Sequence, residues 1–134
     1  MAYNSNNQYI PGLLAGADLS AWQYKPVRMC STAGEVNKVV GSATGTTAGI
    51  VGILHNDPAD GEEALVADGG VSIGVCGTGA GVTQAQVHAG AALSANSTGL
   101  IVTTLANTAI VGYALEAATA SGDEISVALR PGRY

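Results

Sequence analysis

From residue 18 onward the chain reads as short apolar stretches punctuated by Gly, Asn, Asp and Ser. Val27 and Met29 alternate with Arg28 and Cys30, and residues 35–40 read as a strand after a turn at Thr32-Ala33-Gly34. Ile50-Val51-Gly52-Ile53-Leu54 is a continuous apolar run closed by Asn56-Asp57-Pro58, the form of a buried strand. Residues 63–68 and 70–76 read as two strands around a turn at Asp68-Gly69-Gly70. In the second, Val71, Ile73 and Val75 alternate with Ser72, Gly74 and Cys76, as a half-buried strand requires. Residues 83–88 alternate weakly, and Asn96-Ser97-Thr98-Gly99 reads as a hairpin turn. Ile125, Val127 and Leu129 alternate with Ser126 and Ala128 in the cleanest strand, which Pro131-Gly132 ends. No stretch carries a helical stripe over about three turns. The best helical candidate is 113–120, on Ala content alone, and a strand–turn–strand fits it as well. Turns about every eight to twelve residues and about eight to ten short strands predict an all-β fold, a small barrel or sandwich.

Residues 1–17 break this pattern. Asn4-Ser5-Asn6-Asn7-Gln8 is polar and Pro11-Gly12 interrupts any regular element. Tyr3, Tyr9, Ile10, Leu13 and Leu14 follow neither strand nor helix period. The expectation is an extended N-terminal arm, 1–17, ahead of a single β domain, 18–134. An apolar arm without a core of its own docks on something: its own domain, a neighbouring subunit or another protein. On this reading, deleting residues 2–14 leaves the fold intact.

Composition narrows the classes. At 134 residues the chain suits one domain. Only 11% of it is charged, against about 25% in ordinary domains, and it has 19 Gly and no Phe. Such a surface of small side chains repels its own copies weakly and suits an oligomer or lattice. A monomer with a Thr/Asn-coated β-surface is the alternative. Five Lys and Arg against ten Asp and Glu, a net charge of −5, argue against a nucleic-acid partner. No apolar run approaches the about 18 residues of a membrane span. The first residues have no basic, apolar leader, so synthesis in the cytoplasm is expected.

Candidate chemistry is sparse. Cys30 and Cys76 form neither a disulfide framework nor a zinc set. The cluster Gly74, Gly77, Gly79, Gly81 fails the dinucleotide spacing, whose third glycine falls on Val82, and reads as a flexible loop. Asp57, Asp60, Glu62 and Glu63 lack EF-hand spacing and read as a solvated turn, with a weak ion site as the alternative. His55 and His88 have no partner at a recognisable spacing and read as strand-end histidines. No catalytic residue, cofactor or metal is expected. Trp22 and Tyr24, just after the arm, either pack at the base of the barrel or anchor an interface.

Two blocks carry a resemblance. One is Gly52-Ile53-Leu54-His55-Asn56-Asp57-Pro58-Ala59-Asp60-Gly61-Glu62. The other runs Gly112-Tyr113-Ala114-Leu115-Glu116-Ala117-Ala118, then Gly122-Asp123 and Ile125-Ser126-Val127. In this order, after Ala17-Asp18-Leu19-Ser20-Ala21-Trp22-Gln23-Tyr24, they resemble the small capsid decoration (cement) proteins of tailed bacteriophages, over roughly residues 9–134. The resemblance implies a β-rich structural protein on the outer capsid surface of the virion, a homo-oligomer in trimer form, bound to the major capsid protein. It implies no catalytic residue. The interface residues expected with it are Tyr3, Tyr9, Ile10, Leu13, Leu14, Trp22 and Tyr24. The alternative is a self-assembling tube, fibre or spike subunit with the same low charge and arm.

Overall fold

The computed structural model describes residues 2–42, 49–78, 89–103 and 108–133. Gly79 and Gly81 of the glycine cluster, the weak alternation at 83–88 and His88 itself lie outside the described residues. The protein is all-β, and no helix occurs among the described residues. Among these residues ten strands run in order: β1 (Ser5–Tyr9), β2 (Leu14–Ala15), β3 (Pro26–Met29), β4 (Lys38–Gly41), β5 (Ile50–Leu54), β6 (Val66–Val75), β7 (Ala92–Asn96), β8 (Gly99–Val102), β9 (Ala109–Ala114) and β10 (Glu124–Arg133). They make one sheet in the order β2-β4-β3-β5-β6-β10-β9-β7-β8, with β1 added to β6. Pairing is antiparallel except between β2 and β4.

Each end of the sheet rolls back towards β6. At one end Leu14 bridges Glu63, the Ala15 amide donates to the Glu62 carbonyl at 2.8 Å, and the Ala64 amide donates to the Leu13 carbonyl at 3.0 Å. That segment leads directly into β6. At the other end Leu100 of β8 bridges Cys76, and the Gly77 amide donates to the Leu100 carbonyl at 2.8 Å, just past β6. Each roll encloses its own core. Leu13, Ala15, Leu19, Val27, Val39, Leu54, Ala64 and Val66 fill the first. The second holds Ile53, Leu93, Leu100, Val111, Ile125, Val127 and Leu129 among others. Burial of such side chains is the main stabilising term, roughly 1.5–3 kcal/mol for each large one.

The details correct several expectations. Residues 63–76 are not two strands about a turn. Gly70, at φ +81°, kinks one long strand instead of reversing it, and β1 runs alongside with Gln8 opposite Gly69 and Ser5 opposite Val71. The strand expected at 35–40 begins only at Lys38, because Asn37 takes φ +58° and turns the chain. The helical candidate 113–120 is strand to Ala114 and then a turn. There Asp123 Oδ2 accepts the Thr119 amide, the Thr119 hydroxyl and the Ala120 amide, each at 2.9 Å, which fixes the turn without a helix. These bonds hold the Asp123 carboxyl below its ordinary value.

The β6 alternation is real but faces the other way. Ile125 pairs with Gly74 and Val127 with Ser72, and directly paired residues share a face. Ser72 and Gly74 are therefore the buried pair, while Val71, Ile73 and Val75 lie half-buried on the outer face. A Cβ at Gly74 would stand 2.5 Å from Leu100 Cδ1 and 3.0 Å from Val127 Cγ2, so neighbours fill the space that β6 leaves. Gly112 is tighter still, its added Cβ 2.0 Å from the Ala128 carbonyl oxygen.

Candidate functional site

β1 and β2, within the expected arm, belong to the sheet of their own chain. β1 lies on β6 with register shifts on both sides of Gln8, and side chains make up for the broken ladder. Asn7 Nδ2 donates to the carbonyls of Gly69 at 3.2 Å and Val71 at 2.8 Å. Asn4 Oδ1 accepts the Ile73 amide at 2.8 Å. An Asn-rich run thus works as a strap, because a carboxamide offers the same donor and acceptor as a peptide group.

The strap ends at a polar cluster. Tyr9 Oη lies 3.1 Å from His55 Nδ1, and His55 Nε2 lies 2.8 Å from Ser72 Oγ. Ser72 Oγ donates to the Ile73 carbonyl at 2.8 Å. With its proton so placed, Ser72 accepts from Nε2–H, which leaves Nδ1 to accept from the Tyr9 hydroxyl. The Tyr9 ring meets the imidazole edge-on at 5.4 Å between centroids, and the Tyr24 ring does so at 5.7 Å. Gln23 Nε2 donates to the His55 carbonyl at 2.9 Å.

Tyr24 reaches this place through strained backbone. It sits at φ +63°, a region a bulky residue enters at a cost of about 1–3 kcal/mol. Two long-range bonds hold it: its amide donates to the Leu54 carbonyl at 2.7 Å, and its carbonyl accepts the Val75 amide at 2.9 Å. Burial holds the His55 imidazole below the usual histidine value, so the neutral ring is the resident form. A serine, a histidine and a third orienting hydroxyl also describe an activated nucleophile. Here Ser72 is fully buried and its hydroxyl donates to a carbonyl, and through His55 it is joined to Tyr9 of β1.

The expected interface residues scatter. Tyr3 is 51% exposed and its amide donates to Ser126 Oγ at 3.1 Å, so the chain start lies on the outer face of β10. Tyr9 is 43% exposed, and Leu14 is also exposed. Ile10 is half-buried against the first core. Leu13 is only 5% exposed and belongs to that core, which leaves it no surface to offer a partner. Deleting residues 2–14 would therefore open the core, and it does not leave the fold untouched as the sequence pattern suggested. Trp22 is half-buried on the same core, donates Nε1–H to the Pro26 carbonyl at 2.7 Å and lies against Gly41. Lys25 Nζ stands 4.9 Å above its ring. Tyr9 and Tyr24 meet at His55, while Trp22 is fixed elsewhere, by the Pro26 carbonyl.

Beyond the strap, an apolar row crosses the outer face. Val71 pairs with Ala128 and Ala128 with Tyr113; Ile73 pairs with Ser126, whose carbonyl accepts the Leu115 amide. Tyr113 and Leu115 are exposed. In the sequence Tyr113 and Leu115 belong only to the helical candidate and the resemblance block, and Ser72 only to a strand alternation, so none of the three stands out there as a contact residue. Asp57, Asp60, Glu62 and Glu63 form an exposed turn in which Glu62 Oε1 accepts the Ala59 amide at 2.7 Å. No group of three or more His, Cys, Asp or Glu that could hold a metal occurs among the described residues. Cys30 and Cys76 are free, and burial pushes the Cys76 thiol up to about 11. No family model, curated protein or solved structure matches the chain.

Proposed function

We propose that this chain is a capsid decoration protein, bound as a trimer to the major capsid protein on the outside of a tailed-phage head, where it reinforces the shell. The observation that carries the reading is the apolar outer face of β6, β10 and β9, with Val71 and Ile73 half-buried and Tyr113 and Leu115 exposed, and with Tyr3 beside it. A chain with 11% charged residues that leaves these side chains in solvent is suited to a neighbour. Tyr3, Tyr9 and Leu14 offer further apolar contact at the strap. Many weak contacts of this size on one lattice bind strongly together.

The test is co-sedimentation with expanded, undecorated heads. The native chain is expected to pellet with them, and the double change Tyr113→Ser with Leu115→Ser is expected to weaken binding about tenfold or more while the fold persists. Light scattering of the free chain is expected to give three copies. Native chain that stays in the supernatant overturns the reading. Filaments of the purified chain in electron micrographs would instead favour a self-assembling tube or fibre subunit.

A further inference from the structure

We infer that Tyr9, His55 and Ser72 form a proton-sensitive clasp, and that acid loosens the β1 strap from β6. The inference stands on contacts within this chain and does not depend on what the outer face binds. The two ring nitrogens of His55 are both committed, one to the strap and one to β6. The chain of donors runs one way: Tyr9 hydroxyl to Nδ1, Nε2–H to Ser72 Oγ, Ser72 hydroxyl to the Ile73 carbonyl. A proton arriving at Nδ1 turns that acceptor into a donor. The Tyr9 hydroxyl must then reverse, and the ring must hold a charge where burial disfavours it.

Among the described residues, the side chains in contact with the ring are Tyr9, Tyr24 and Ser72, none of them a carboxylate. β1 contributes only Tyr9 as a titratable group. The segment before β3 contributes Tyr24, and its Lys25 lies over Trp22. On β6 the charged residue is Asp68, which is exposed, and in the adjoining turn Asp57, Asp60, Glu62 and Glu63 are exposed too. Burial is the cause of the His55 shift, with no carboxylate offsetting it. The strap is the element that responds, because its own ladder is broken: its register shifts twice, and Asn6 sits at φ +52°. β6 keeps its bonds to β10 whatever the strap does.

The sign follows from linkage. The open strap frees His55 to titrate at its ordinary value, while the closed strap holds it lower, so protons favour the open form. Closure is full above about pH 6.5 and declines as the pH falls through the value of the closed form.

Amide hydrogen exchange on the whole chain tests this, with strap residues 5–10 read against amides of β9 and β10 as an internal reference. Corrected for intrinsic rates, strap protection is expected to fall several-fold between about pH 7.5 and about pH 5. The ceiling is about thirtyfold, set by the distance from the ordinary histidine value. Reference amides are expected to hold. His55→Gln, which keeps a neutral hydrogen-bonding side chain, is expected to abolish the pH response, and His88→Gln to keep it. In the native chain the strap amide shifts are expected to titrate with the His55 ring in NMR spectra, a readout that needs no variant. Strap protection that ignores pH in the native chain, an unchanged response in His55→Gln, or strap shifts that do not follow the His55 ring overturns the clasp.

Discussion

β6 and β10 are both ten residues long, lie side by side, and alternate apolar and small residues in nearly the same way. They bury opposite members of that alternation. β10 turns Ile125, Val127 and Leu129 into the core, and β6 turns Ser72 and Gly74 into it. Two full apolar faces meeting there would overfill the space, since Leu100 and Val127 already reach to the Gly74 backbone. The large side chains of β6 are thereby pushed outward, where they build the apolar row that ends at Tyr113 and Leu115. Over this paired stretch β10 supplies the core and β6 supplies the outer surface.

The comparison can be broken at the core first. Ile125→Ala is expected to cost about 2–5 kcal/mol, read as a lower urea midpoint with the slope unchanged. Gly74→Val is expected to cost about 1–3 kcal/mol through overpacking against Leu100. Because that neighbour is the far end of a side chain, Leu100→Val in the same chain should recover part of the loss, so the two changes are non-additive. An additive pair would mean that β6 does not press on β8 through Gly74. Ile73→Thr, on the outer face, is expected to stay within about 1 kcal/mol and to show instead in association, by light scattering. The smallest effect is global stability against pH. The depressed His55 value favours the folded state above about pH 6.5, a contribution lost as the pH falls through the folded value, so the native-minus-His55→Gln difference in Tm should change with pH only on the acid side.

How the strap was read shows where sequence pattern runs out. Its polar run and broken period marked residues 1–17 as distinct from the domain. They did not reveal that Leu13 belongs to the core or that Asn4 and Asn7 stand in for ladder bonds. His55 read as a strand-end histidine, and it does follow β5. Its partners, Tyr9 and Ser72, lie 46 and 17 residues away, and no short spacing encodes a meeting over such distances. Tyr24 was singled out for its size, but its left-handed backbone is set by Leu54 and Val75, outside any local signal.

The class of structure is legible in local pattern alone. Runs of Val, Ile and Leu at period two, cut by Gly, Asn and Asp, specify strands and turns, since strand and turn chemistry is local. The hairpin at Ser97-Thr98 and the alternation in β10 follow directly, although β10 runs on through Pro131-Gly132, where the pattern ends it, to Arg133. Long-range packing sets which face of β6 is inside, where the N-terminal segment lies, and that Tyr9, Tyr24, His55 and Ser72 share one place. Period two marks two faces without saying which is covered. The register against β10, and the volume already filled by Leu100 and Val127, made that choice.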